Sequence, residues 1–93
     1  MESKTAYKII VRGLVQGVFF RDTARKEALN LGLKGYVKNN DDGSVEIVAF
    51  GNADNIDRFA RWCYVGPDSA KVDIVDLKTI DVKENYKDFR IIY

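Results

Sequence analysis

The sequence predicts an α+β domain in which two helices pack on one face of an antiparallel sheet. Segments with alternating apolar residues, typical of strands, and segments with apolar residues every three or four positions, typical of helices, follow one another in the order β-α-β-β-α-β. The chain has 93 residues, 46% of them hydrophobic, which suits one compact domain. We therefore expect a ferredoxin-like βαββαβ sandwich over residues 7–93, preceded by an N-terminal tail over residues 1–6.

The first half of the domain is predicted to hold a strand, a helix and a second strand. Alternating apolar residues indicate a strand over Tyr7–Arg12. From about Arg21 the period changes to that of a helix, and Gly32 is a good stop signal for it. Leu33–Lys38 is a short second strand. The apolar stripe that should bury the helix consists of Phe20, Ala24, Ala28 and Leu31.

The second half begins with a hairpin. Asn39–Gly43 (NNDDG) is a strong turn signal, and Ser44–Phe50 alternates as a third strand. Helical spacing returns over Asp54–Tyr64, where Cys63 falls on the apolar stripe and is interpreted as a core residue. Trp62 lies off that stripe, and we assign it no function.

The last strands complete the predicted sheet. Lys71–Ile80 is rich in valine and isoleucine, and the break in its alternation at Ile74–Val75 suggests a bulge. Phe89–Tyr93 alternates again and can add a fifth, short strand at an edge of the sheet.

The composition limits the function classes. Fifteen basic and fourteen acidic residues leave a net charge of +1, which indicates neither a nucleic acid nor an anionic membrane as partner. Histidine is absent, and a single cysteine excludes an internal disulfide. No apolar run is long enough to span a bilayer, and the first residues lack a signal-peptide pattern. We expect a cytoplasmic monomer.

The junction between the first strand and the first helix, Gly13–Arg21 (GLVQGVFFR), has the composition of an anion-binding loop. Gly13 and Gly17 permit bends that turn successive N–H groups inward, and the start of the helix adds its own unpaired N–H groups. The planar guanidinium of Arg21 suits two phosphate oxygens. An ordinary turn with a solvated arginine is the alternative. Phe19 and Phe20 are interpreted as core anchors.

Asn39, at the end of the second strand, is a second candidate. Its carboxamide can accept and donate hydrogen bonds and so orient a water molecule. The alternative is ordinary turn chemistry, because asparagine is common before a sequence such as NDDG.

Two long motifs in this sequence resemble those of the acylphosphatase family. The first covers Val11–Arg21, and the second covers Gly35–Val45 and continues to Gly51. The resemblance extends over Tyr7–Tyr93, almost the whole chain.

The resemblance implies hydrolysis of the carboxyl-phosphate bond of acyl phosphates, with inorganic phosphate as product. It implies that Arg21 binds the phosphoryl group and that Asn39 positions the attacking water. It also implies no metal, no cofactor and no covalent enzyme intermediate, in a small stand-alone enzyme. The backbone amides implied to line the phosphate site are those of Val15, Gln16, Gly17, Val18, Phe19 and Phe20.

Two alternatives share the predicted fold class. One is an RNA-binding module, but Lys38 stands where a stacking aromatic residue is required. The other is a regulatory module that binds an anion without turnover, which an activity assay would distinguish. A cysteine-dependent phosphatase is excluded because Ser69 stands six residues after Cys63, where arginine is required.

Overall fold

The structure is a computed structural model that describes residues 4–81 and 86–93. Two helices cover one face of a five-stranded sheet. The elements are β1 (Lys4–Leu14), α1 (Phe20–Asn30), β2 (Lys34–Asn39), β3 (Val45–Asn52), α2 (Ala53–Cys63), β4 (Lys71–Thr79) and β5 (Phe89–Ile92). The predicted fold class and element order are confirmed.

The strands lie in the order β4-β1-β3-β2-β5. The neighbours among the first four strands are antiparallel, whereas β5 runs parallel to β2 at the outer edge. The sheet is therefore mixed rather than purely antiparallel. Alternation along a strand carries no information on strand direction, so the sequence could not show this.

An apolar cluster lies between the helices and the sheet. The predicted stripe of α1 is buried except at its last member, Leu31, which ends the helix and is half-buried against the cluster. Cys63 is fully buried, as predicted, and this burial raises the pKa of its thiol. The rings of Phe59 and Phe89 meet edge to face at 5.9 Å and join α2 to β5.

The first strand begins earlier than the sequence pattern indicates. β1 starts at Lys4, inside the segment expected to be a tail, and residues 4–6 pair with Phe50–Asn52 of β3. Ala6 is only 1% exposed. Residues 4–6 are few and mostly polar, so the sequence shows no alternation there. They form part of the strand because β3 is long enough to pair with them.

A bulge interrupts the pairing of β1 with β4 close to the junction loop, and the pairing resumes for the last two residues of β1. Arg12 pairs with Ile74 and Gly13 with Val72, so Asp73 is the extra residue, just before the predicted position. A Cβ atom on Gly13 would lie 2.2 Å from the carbonyl oxygen of Lys71. Gly13 therefore permits close approach of two strands and belongs to the sheet, not to the bend of the loop as predicted.

Each described helix has 11 residues, too short to cross a membrane.

Candidate active site

The junction loop borders a pocket of about 250 Å³ at the start of α1. This pocket brings together the two residues singled out in the sequence, Arg21 on α1 and Asn39 at the end of β2. It adds Asp22 and Tyr93, which were not among the site residues predicted from the sequence. The remaining lining residues are Val15, Gly17, Phe19 and Phe20.

The backbone of the loop is bent and its donors are unused. Gly17 and Phe19 have φ values of 74° and 63°, in the left-handed region. Over residues 4–81 and 86–93, no protein acceptor receives a hydrogen bond from the backbone N–H groups of residues 15–20. Unpaired N–H groups in a bent loop at a helix N-terminus provide hydrogen bonds and positive potential for an anion.

Phe19 holds an unusual conformation for a residue with a side chain. Among the described residues it is the one non-glycine with a positive φ, a conformation that costs about 1–2 kcal/mol. Its side chain is 73% exposed, whereas that of Phe20 is 1% exposed with its ring 5.2 Å from the ring of Trp62. The prediction of a core anchor is confirmed for Phe20 and wrong for Phe19, because the left-handed residue turns the side chain away from the core.

The guanidinium of Arg21 is available to a ligand. In the part of the chain that the structure describes, no carboxylate or carbonyl pairs with it. Its Cζ atom lies 5.1 Å from the centre of the Tyr93 ring, a cation–π contact that restricts the side chain. Arg21 is half-buried, so its charge faces the pocket with reduced solvent screening.

Asn39 presents a buried acceptor that the protein leaves unused. The Oδ1 atom of Asn39 is buried and has no hydrogen-bond partner among the described residues. Such an atom costs about 1–3 kcal/mol if it stays unpaired. A water molecule that donates a hydrogen bond to Oδ1 would satisfy it.

The side chain of Gln16 joins the loop to the β2–β3 hairpin, which carries Asn39, by hydrogen bonds. Its Nε2 donates to the carbonyl oxygens of Asn40 and Ser44, at 2.8 and 2.9 Å. The side chain therefore points to the β2–β3 turn rather than into the pocket. Val18 also faces away: its side chain packs on the core, and its carbonyl oxygen accepts a 2.6 Å hydrogen bond from Ser69 Oγ. Gln16 and Val18 can therefore contact a ligand in the pocket through their backbone N–H groups and not through their side chains.

The turn that receives Gln16 has its own hydrogen-bond network. The Oγ and backbone N–H of Ser44 donate to Asp42 Oδ1 at 2.6 and 2.9 Å, and Arg12 donates to Asp42 Oδ2 at 3.0 Å. These hydrogen bonds lower the pKa of Asp42 to about 2, and the bond from the Ser44 side chain contributes most. Asn40 Nδ2 donates to Ser44 Oγ at 3.0 Å and closes the network next to Asn39.

Comparison with known proteins gives a consistent result. The family model "Acylphosphatase" matches residues 7–91. An acylphosphatase of Aeropyrum pernix is 44% identical over 93 residues, which cover 99% of this chain and 92% of the relative. A solved acylphosphatase structure from Coxiella burnetii is 45% identical with a TM-score of 0.91, covering 96% of this chain and 93% of that one.

The crystal structure of a Bacillus subtilis acylphosphatase is 38% identical and also has a TM-score of 0.91, covering 96% of this chain and 99% of that one. Sequence motifs, fold and near-full-length similarity agree, and the chain belongs to the acylphosphatase family.

Proposed function

We propose that this pocket is the site at which the enzyme hydrolyses the carboxyl-phosphate bond of acyl phosphates, giving a carboxylate and inorganic phosphate. One observation carries the proposal. Within the described part of the chain, amides, a guanidinium and a buried carboxamide oxygen that lack partners border the same pocket. These are the donors that a phosphoryl group needs and the acceptor that a water molecule needs.

The phosphoryl group is bound by the loop and by Arg21. The amides of residues 15–20 donate to its oxygens, and the positive end of the α1 dipole adds to their effect. The guanidinium of Arg21 donates to two oxygens at once. The bent backbone restricts the loop amides and the contact with Tyr93 restricts Arg21, so little reorganisation should be required when charge develops on these oxygens.

Asn39 holds the attacking water. Its Oδ1 accepts one hydrogen of the water and so directs the water oxygen toward phosphorus. The water oxygen forms a bond to phosphorus while the bond to the carboxyl oxygen breaks, and the electron pair leaves with the carboxylate. The proton of the water passes to a phosphate oxygen, so that inorganic phosphate is released.

This chemistry requires neither histidine nor a metal ion. A phosphoryl transition state is loose, and catalysis depends mainly on positioning and electrostatic stabilisation. The conjugate acid of the leaving carboxylate has a pKa of roughly 4, so the leaving group needs no general acid. Hydrolysis should therefore continue in the presence of a chelator.

We also infer that the enzyme works as a cytoplasmic monomer whose partner is the small-molecule substrate rather than a nucleic acid. Every group assigned to the site comes from one chain. The net charge of +1 gives no electrostatic attraction to nucleic acid, and a reduced thiol at Cys63 suits a reducing compartment. Light scattering should give the mass of one chain, and cell fractionation should recover the protein with cytoplasmic markers.

The experiment that tests the proposal is steady-state hydrolysis of benzoyl phosphate by two variants with matched controls. Arg21→Gln should lose about 2–5 kcal/mol of transition-state stabilisation, with a raised KM and a lowered kcat, because a phosphate charge loses its partner. Arg58→Gln, an exposed arginine on α2, should keep wild-type kinetics.

Asn39→Ala should bind inorganic phosphate as the wild type does but lose most of its kcat, because the positioned water is needed only for reaction. Asn30→Ala, at the exposed last residue of α1, is its control. Near-normal turnover in Asn39→Ala would refute the water-positioning role.

A further inference from the structure

We propose that the outer part of this pocket selects acyl phosphates whose acyl group is apolar, aromatic groups above all, and carries no negative charge. The selecting residues are Phe19 and Tyr93, which offer aromatic surface, and Asp22, which repels anionic acyl groups. The proposal rests on the proposed function and names the substrate class of that same site.

Phe19 is an exposed aromatic residue held at the pocket by its backbone. It lines the pocket with 73% of its surface exposed, and its left-handed conformation is disfavoured for any residue with a Cβ atom. Packing within the protein does not account for the side chain, since little of it is buried. Strained residues of this kind occur mainly at ligand sites, and an apolar group placed against the ring would bury it.

Tyr93 supplies a second aromatic surface beside the phosphate-binding group. It is 93% exposed, lines the same pocket, and its ring centre lies 5.1 Å from Cζ of Arg21. A phosphoryl group bound by Arg21 and the loop amides must direct its acyl substituent toward the remaining walls of the pocket. Those walls include both exposed rings, which favour flat or apolar acyl groups.

Asp22 gives this part of the pocket a negative charge. It follows Arg21 on the first turn of α1 and is exposed, and within residues 4–81 and 86–93 it has no ion-pair partner. Its carboxylate would repel a second anionic group on the acyl part of a substrate, whereas an uncharged acyl group would not be affected.

The test compares kcat/KM for three substrates that share the phosphoryl group: benzoyl phosphate, acetyl phosphate and succinyl phosphate, whose acyl group carries a free carboxylate. The benzoyl-to-acetyl ratio should fall about tenfold in Phe19→Ala and in Tyr93→Ala. General damage to the phosphate site acts on both substrates and cancels in the ratio. Tyr64→Ala, an exposed tyrosine at the end of α2, should leave the ratio unchanged.

A separate variant tests whether Asp22 repels anionic acyl groups. Asp22→Asn keeps the shape of the side chain and should raise the succinyl-to-acetyl ratio about fivefold while leaving the benzoyl-to-acetyl ratio unchanged. An unaltered succinyl-to-acetyl ratio would overturn the role of Asp22.

Failure of this proposal is distinguishable from failure of the proposed function. If the wild type hydrolyses acetyl phosphate and the benzoyl-to-acetyl ratio is the same in the wild type, Phe19→Ala and Tyr93→Ala, aromatic selection is overturned and the hydrolytic function stands. If the wild type hydrolyses none of the three substrates, both proposals are overturned.

Discussion

The two helices of this fold have the same length and pack on the same core, yet they begin in opposite ways. At the start of α2, Asn52 adopts an extended conformation and its side-chain oxygen accepts a 2.9 Å hydrogen bond from the N–H of Asp54. At the start of α1, Phe19 is left-handed and none of the described side chains caps the helix. A side chain satisfies one donor at the start of α2, whereas at the start of α1 the N–H groups of residues 15–20 have no acceptor within residues 4–81 and 86–93.

The open start of α1 is held in place by contacts on its outer side. Gln16 fixes the loop to the β2–β3 turn, Ser69 bonds the carbonyl oxygen of Val18, and Gly13 lets β4 approach the end of β1. None of these contacts uses an N–H group of residues 15–20. The proposed anion site therefore depends on contacts that hold the loop without using its amide N–H groups.

The largest expected loss of activity comes from placing a negative charge at Gly17, in the loop before α1. Gly17 is left-handed with nothing within 4 Å of an added Cβ atom, so it has room for Asp or Asn, which tolerate this conformation. Gly17→Asp should lower kcat/KM for benzoyl phosphate about 1000-fold, because two like charges about 4 Å apart repel by about 4 kcal/mol at an effective dielectric constant of about 20.

Gly17→Asn matches that variant in size and backbone demand and should lose less than about tenfold. Equal losses in the two variants would mean that no anion binds near this residue.

A smaller effect should follow from releasing the loop. Gln16→Met removes two hydrogen bonds while keeping the length of the side chain. It should lower the free energy of unfolding by about 1–3 kcal/mol, because two hydrogen bonds worth about 0.5–1.5 kcal/mol each are lost, while each carbonyl oxygen keeps one backbone N–H donor. It should also lower kcat/KM about tenfold, since the loop and Asn39 lose their common anchor. Urea denaturation and steady-state kinetics measure the two effects, and unchanged kinetics would count against the anchoring role.

Removing the N-cap of α2 should lower the stability of the protein without changing its activity. Asn52→Ala should lower the free energy of unfolding by about 1 kcal/mol, the typical cost of losing an N-cap. Its kcat/KM should stay at the wild-type value, because α2 contributes no residue to the pocket. A loss of activity comparable to that of Gln16→Met would show that the two helix ends are not functionally distinct.

The smallest expected effect is on the stability of the protein at acid pH, and it arises from Asp42 in the β2–β3 turn. The pKa of Asp42 is about 2 in the folded protein against an ordinary value of 3.8, so ionised Asp42 favours folding. Its contribution is fully present above about pH 4 and is lost as the pH falls toward 2. The difference in urea midpoint between the wild type and Asp42→Asn should therefore shrink over this range, whereas parallel curves would contradict the assignment.

Much of the fold could be predicted because it is encoded in local periodicity. The strand and helix patterns gave the element order, and the two motifs pointed to Arg21 and Asn39, which line one pocket. Phe19 and Phe20 show the limit of such patterns. Both are apolar and adjacent, and only the left-handed backbone at Phe19 separates the exposed ring from the buried one.

Contacts between distant segments escaped sequence reasoning. Gln16 bonds residues 24 and 28 positions away, and no local pattern marks a loop glutamine as an anchor. Tyr93 reaches the pocket because β5 lies beside β2, with its strand direction set by packing rather than by alternation. These long-range contacts are what the three-dimensional structure adds to the site.

Titration of the ¹⁵N-labelled protein with inorganic phosphate, followed by amide NMR, tests the central claim most directly. The open start of α1 predicts that the backbone amides of residues 15–20 and the Nε–H of Arg21 shift most, while the capped N–H of Asp54 at the start of α2 stays unchanged. Saturating phosphate that leaves the amides of residues 15–20 unmoved, or that shifts a different part of the chain, would contradict the account.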